Sequence, residues 1–274
     1  MATPQRQPDE EEDEMDLIKI LLPDNHGNGL TVRLANGVER QQVLQQYDLP
    51  SIKSMVVIRQ LPSQGLSFQL WPAANTLVSL LEQHHRQPEN SPLSQTLAAF
   101  SKSGGGHLKV LELGSGTGLV GIAAAAILGA NVTVTDLPHV ITNLQFNVDA
   151  NAGLLTLHGG TVHVAALRWG DTGDVEAVGR EFDIVVASDV VYHEHLFEPL
   201  LQTLRLLMGL DEKMVFVMAH LRRWKKDSVF FKRARKLFDV EVIHVDKPQV
   251  GSRIGVAVYR FLLKGSKVVV VDKK

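Results

Sequence analysis

The chain has 274 residues, is 45% hydrophobic, carries a formal net charge of −2 and contains no cysteine. That content supports a sizeable core, the balanced charge argues against a dedicated nucleic-acid binder, and the missing cysteine removes disulfides, thiolate metal sites and a cysteine nucleophile. The start lacks a basic-then-apolar signal pattern and the longest apolar stretch, Ile122 to Ala130, is too short to span a bilayer, so a cytoplasmic or nuclear protein is expected.

Residues 1–15 are polar, with an unbroken acidic run from Asp9 to Glu14. Such a block is predicted to stay solvated and disordered. Residues 16–64 read as a β-rich extension. Strands are predicted over Ile18 to Leu22, Leu30 to Leu34 and Met55 to Leu61, with a turn cluster from Pro23 to Gly29. Residues 65–274 form the main domain. Pro72 can open a helix, whose apolar stripe continues through Leu77, Leu80 and Leu81. Trp71 then stands just outside the helix start, one helix upstream of a glycine-rich loop. Residues 86–106 read as a loop into the central strand, with a short helix around Leu93 to Phe100.

The main domain is organised around residues 107–121. Val110, Leu111 and Leu113 make a short apolar strand, and Glu112 sits near its end. Gly114, Gly116 and Gly118 alternate, and Leu119 to Ala130 is a helix apolar on all sides. A strand, a tight glycine turn and a buried helix open a nucleotide-binding βαβ unit. Two frames fit the loop. Gly116-Thr-Gly118-Leu-Val-Gly121 matches the dinucleotide pattern, a weak signal alone. Glu112-Leu-Gly114-Ser-Gly116-Thr-Gly118 places a carboxylate two residues before the first glycine. That carboxylate would repel a pyrophosphate and attract a cationic ligand head.

Val132 to Thr135 is the second strand. It ends at Asp136, about twenty residues beyond the loop, where a carboxylate can accept ribose hydroxyls. A helix is predicted over 138–152, with Asn143 and Asn147 on one face. Thr161 to Leu167 is the third strand, followed by Arg168-Trp169-Gly170 at the crevice rim. Phe182 to Ala187 is the fourth, a continuous apolar run expected of a central parallel strand. It leads into Ser188-Asp189-Val190-Val191-Tyr192, beside the first strand at the switch point where ligands bind. Met214 to Ala219 is the fifth strand. Arg222 to Lys236 reads as a helix with a solvated basic face. Val240 to Val245 and Val256 to Leu263 are too close in sequence for a crossover helix and should pair antiparallel. Val268 to Val271 is an extra short strand or an ordered end.

The tally is an α/β fold with a Rossmann-like seven-stranded sheet closed by an antiparallel pair, plus the small β-rich extension. Four stretches carry a family likeness: Trp71, Glu112-x-Gly114-x-Gly116-x-Gly118, Leu167-x-Trp169-Gly170, and Asp189-x-x-Tyr192. Through them residues ~65–263 resemble the seven-strand S-adenosylmethionine-dependent protein-lysine methyltransferases of methyltransferase family 16, especially the methyltransferase-like 21 group. The prolines of the adenine-N6 enzymes are missing after the fourth strand.

The resemblance implies S-adenosyl-L-methionine as cofactor and a lysine-bearing protein as partner; composition and charge lead to no expected membrane or nucleic-acid partner. It implies cofactor contacts from Trp71, Glu112, Gly114, Gly116, Gly118, Asp136, Leu167, Trp169 and Ser188. Asp189 and Tyr192 would line the lysine channel, Asp189 orienting the amine rather than acting as base. No metal set is expected, since the histidines show no ligand spacing. Competing readings are a methyltransferase acting on a small molecule or RNA, a non-catalytic module on the same fold, and an NAD(P) oxidoreductase.

Overall fold

A computed structural model of the chain describes residues 29–33, 39–98, 100, 106–209, 213–248 and 254–265. The acidic tail and the expected strands at Ile18 to Leu22 and Val268 to Val271 lie outside these residues.

The extension is a three-stranded antiparallel sheet of β1 (Gly29–Arg33), β2 (Glu39–Leu49) and β3 (Ser54–Gln60), in that order. The sequence reading placed no strand over Glu39–Leu49. Its apolar positions Val43, Tyr47 and Leu49 are interrupted by glutamines, which mask the alternation. One of them is paired within the sheet: Gln60 Nε2 donates to Gln45 Oε1 at 2.9 Å.

The main sheet has seven strands. They are β4 (Lys109–Leu113), β5 (Asn131–Asp136), β6 (Thr161–Ala166), β7 (Ile184–Ser188), β8 (Val215–His220), β9 (Phe238–Val245) and β10 (Ala257–Leu263). Their order is β6-β5-β4-β7-β8-β10-β9. The first five run parallel, and β10 lies antiparallel between β8 and β9. The expected closing pair is therefore present, and the order reverses between β4 and β7.

The helices are α1 (Pro72–Arg86), α2 (Ser94–Ala98), α3 (Leu119–Leu128), α4 (Ile141–Ala150), α5 (Ala152–His158), α6 (Thr172–Val178), α7 (Phe197–Met208) and α8 (Asp227–Leu237). They cover both sheet faces, which explains why the central strands read as unbroken apolar runs. The strands still alternate. Val110, Ile184, Val215 and Val217 face a core shared with α1 and α3, while Leu111, Leu113, Val185, Phe216 and Met218 face one shared with α7 and α8. Helix α3 is buried on all sides, with glycines in left-handed conformation at both ends.

Two helices depart from expectation for identifiable reasons. The helix predicted over 138–152 ends at Ala150, and α5 follows after Asn151. The Asn151 side chain is committed to β3, accepting from Val57 N–H at 2.9 Å and donating to Val57 C=O at 2.8 Å. Asn147 does the same with Arg59 and also donates to Thr117 C=O at 2.9 Å. These buried asparagines fasten the extension to the main domain and meet backbone groups that would otherwise be orphaned. Leu49, Val56 and Ile58 share the core with α1 and α3. The helix predicted from Arg222 begins only at Asp227, and Leu221 to Lys226 is a loop. No helix among the described residues is long and apolar enough to cross a membrane.

Candidate active site

A cleft opens at the carboxyl ends of β4, β5 and β7, where the strand order reverses. The glycine loop forms its floor. Ser115 N–H donates to Thr135 C=O at 2.9 Å, Thr135 N–H to Ser115 Oγ at 3.0 Å, and Thr135 Oγ1 to Glu112 C=O at 2.6 Å. The loop is thus stitched to the end of β5. Gly114 and Gly116 have φ of +62° and +53°, in the left-handed region. A Cβ on Gly114 would stand 2.9 Å from Trp169 Cζ2, and one on Gly116 would stand 2.9 Å from Ser67 C=O. The close approaches that need glycine here come from the protein's own segments, which then wall the cleft.

Glu112 is 1% exposed. Its Oε2 accepts from Gly121 N–H in the first turn of α3 at 2.9 Å. A Cβ on Gly121 would fall 2.7 Å from that oxygen and 2.3 Å from Val134 Cγ1, so this glycine serves helix–strand packing. Burial pushes the Glu112 carboxyl up to about 8, and its partners offset only part of that. Asp136 ends β5. Its Oδ2 accepts from Gly116 N–H and its Oδ1 from Leu137 N–H, both at 2.7 Å. Burial also raises the Asp136 carboxyl above its ordinary range.

Two indoles face the cleft. Trp71 caps α1 in extended conformation and donates from Nε1 to Leu66 C=O at 3.0 Å. Trp169 follows β6, and its loop is held by Gly170 N–H donating to Thr203 Oγ1 at 2.8 Å. Arg168 Nε pairs with Asp174 Oδ2 at 2.7 Å on the outer rim. Leu167, Ser188 and Tyr192 complete the wall among the predicted residues.

Asp189 follows β7 with φ +54°, uncommon for a residue with a side chain. Its side chain is 2% exposed. Oδ1 accepts from Leu221 N–H at 2.9 Å and from Arg223 Nη1 at 3.0 Å; Oδ2 accepts from Arg223 Nη2 at 3.0 Å and from Ala73 N–H at 3.2 Å. The carboxylate therefore caps α1, ties down the loop after β8 and takes a bidentate guanidinium. Burial alone would raise its pKa; Arg223 and His220 more than offset that and hold it well below the usual carboxylate range.

A family model described as lysine methyltransferase matches residues 52–237. The chain belongs to this lysine methyltransferase family. EEF1A lysine methyltransferase 3 of Mus musculus is 37% identical over 196 residues, 72% of each chain. Protein N-lysine methyltransferase METTL21A of Danio rerio is 39% identical over 138 residues, 50% of this chain, and that of Mus musculus is 40% identical over 137 residues. The chain spans 61% and 60% of the length of these two METTL21A relatives. The likeness read from the four motifs is borne out, and the family stretch holds every cleft residue named above.

In this lysine methyltransferase family member, the cleft gathers Trp71, Glu112, Gly114, Gly116, Asp136, Leu167, Trp169, Ser188, Asp189 and Tyr192. Gly118 stands outside its wall. It begins α3 at φ +84°, and a Cβ there would meet Leu144 Cδ1 at 2.6 Å. Among the described residues, no cluster of three histidine or carboxylate side chains could hold a metal. Sequence reasoning missed Ser67, Leu137 and Arg223, all on the wall. The sequence reads Arg223 as part of a solvated basic helix, yet its side chain is 8% exposed. The available signal was Asp227, an acidic residue four positions on that can start a helix. Asp227 Oδ2 accepts from Arg223 N–H at 3.1 Å and Trp224 N–H at 3.3 Å, which folds the preceding loop back over the cleft.

Proposed function

We propose that the chain is an S-adenosylmethionine-dependent protein-lysine N-methyltransferase. One observation carries the reading: Trp71, Asp136 and Trp169 share a single cleft with the Asp189-x-x-Tyr192 stretch. The residues present fit the cofactor. Each Asp136 oxygen accepts one backbone N–H and keeps acceptor capacity for a ribose hydroxyl. Trp71 and Trp169 offer faces for an aromatic base. Glu112, buried and held near 8, is relieved by a cation placed beside it. That preference suits the cofactor's ammonium or sulfonium and disfavours the pyrophosphate of a dinucleotide.

When bound, the cofactor supplies an activated methyl group on sulfur. The protein's task is then mainly alignment. Tyr192 and His195 line the cleft, and in this reading they form its acceptor end, Tyr192 offering a ring wall and a phenolic hydroxyl for an amine. Ser188 and Val190 also line the cleft. A monomer is the state this reading expects. A protein of the cytoplasm or nucleus presenting a lysine is the partner this reading implies.

The test is tritium transfer from methyl-labelled S-adenosylmethionine to a cell extract incubated with the full chain. Acid hydrolysis is expected to release the label as methyl-lysine from the protein fraction. Label confined to nucleic acid or metabolites would overturn the lysine assignment.

A further inference from the structure

The acceptor end of the cleft holds one acidic side chain on its wall, Asp189, and that side chain is already matched. Arg223 places Nη1 on Oδ1 and Nη2 on Oδ2, each at 3.0 Å. Its guanidinium carbon lies 5.3 Å from the centre of the Trp71 ring, and both Asp189 and Arg223 line the cleft. The two remaining acceptor directions are filled by Ala73 N–H and Leu221 N–H. Nothing about this arrangement is loose. Asp227 fixes the backbone of the loop that carries Arg223 and also takes His220 Nε2 at 3.2 Å. The other groups facing the pair are His220, with Nδ1 3.7 Å from Asp189 Oδ1, and Asp227 behind it. Tyr192 and His195, which follow β7, and Glu112, Asp136 and Arg168 line the same cleft.

A lysine amine must be neutral to attack, and its unperturbed pKa is near 10.4. A bare buried carboxylate beside it would favour the ammonium form and oppose the reaction. A carboxylate bound face-on by a guanidinium has no net charge to offer.

Resting on the lysine reading above, we propose that Arg223 is a positioning residue that cancels the charge of Asp189, so that the acceptor amine enters the cleft uncharged. The Asp189–Arg223 pair is then a neutral wall and not a counter-ion for an ammonium. The amine nitrogen uses its lone pair to form the new N–C bond as the S–C bond breaks. The electrons of that bond leave with sulfur, and the extra N–H proton is lost to water. Arg223 takes no part in the bond changes.

The experiment follows methyl-lysine formation in extract protein by the full chain, from about pH 6 to about pH 10, over a dilution series of extract. Calorimetry with S-adenosylhomocysteine checks that each variant keeps its cofactor cleft. Arg223→Met leaves Asp189 uncancelled. Its rising acid limb is expected to move up by about one pH unit, with kcat near neutrality lower by about tenfold and restored at high pH, while the half-saturating extract concentration does not rise. Arg223→Lys, which keeps the charge, is expected to hold the wild-type limb. The double variant Asp189→Asn with Arg223→Met is neutral again and is expected to return the limb to its original position, even if the single variant is too unstable to assay. A uniform loss at every pH in Arg223→Met, or a double variant that does not return, would overturn the inference alone. Absence of methyl-lysine with the unaltered chain would overturn both it and the lysine reading.

Discussion

Glu112 on β4 and Asp189 after β7 are carboxylates at the ends of neighbouring parallel strands, yet the protein treats them oppositely. Glu112 is compensated by the N–H of Gly121 and its own loop, and burial wins, holding it near 8. Asp189 is as deeply placed but receives two N–H groups and a bidentate guanidinium, and its charge is fixed. One end of the cleft keeps a carboxyl that holds its proton until a cation is placed beside it. The other has its charge matched within the fold. A site that must attract a cationic cofactor and yet accept a neutral amine needs both conditions side by side.

The largest expected effect comes from breaking the matched end. Asp189→Ala strands a buried guanidinium and orphans two N–H groups, which should cost about 3–5 kcal/mol in a urea unfolding experiment. At the unmatched end, Asp136→Ala removes the acceptor for Gly116 and Leu137 N–H and the group offered to the ribose. S-adenosylhomocysteine affinity should fall by about 10–100-fold in calorimetry. Gly118→Ala changes no charge and touches no cleft wall. Its φ of +84° and the Leu144 contact should cost about 1–2 kcal/mol of stability, with cofactor affinity of the folded fraction unchanged.

The last effect is a slope with pH rather than a fixed loss. Glu112 has an ordinary value of 4.5 and about 8 in the fold, so the folded state binds the extra proton between those values. Its contribution is complete below 4.5, declines as pH rises toward 8 and is flat above. Glu112→Gln should remove that decline. His220 and Asp136 are also raised and add declines of the same sign. The difference between the melting curves of the two proteins, taken pH by pH, isolates Glu112.

Much of this cleft is legible in the sequence because its signals are local. The β4–loop–α3 unit lies within twenty residues, Asp136 follows at the end of the next strand, and Asp189-x-x-Tyr192 abuts an unmistakably buried strand. The short gap between β9 and β10 likewise dictates their antiparallel pairing. What the sequence hides is compensation at a distance. Arg223 meets Asp189 across 34 residues, and its run of basic neighbours reads as a solvated helix face. The asparagines at 147 and 151 look like ordinary helix positions until their partners on β3, some 90 residues earlier, are seen. The glycines of the loop read locally as a tight turn at a nucleotide site. Their Cβ positions are in fact taken by Trp169, Ser67 and Leu144, contacts that no local pattern encodes.

The most direct test of the account is calorimetric titration of the chain and of Asp136→Ala with S-adenosylhomocysteine and, separately, with NAD. Binding of S-adenosylhomocysteine that weakens at least tenfold in the variant, with no heat from NAD, is the predicted result. Binding of NAD, or S-adenosylhomocysteine binding that Asp136→Ala leaves unchanged, would contradict it.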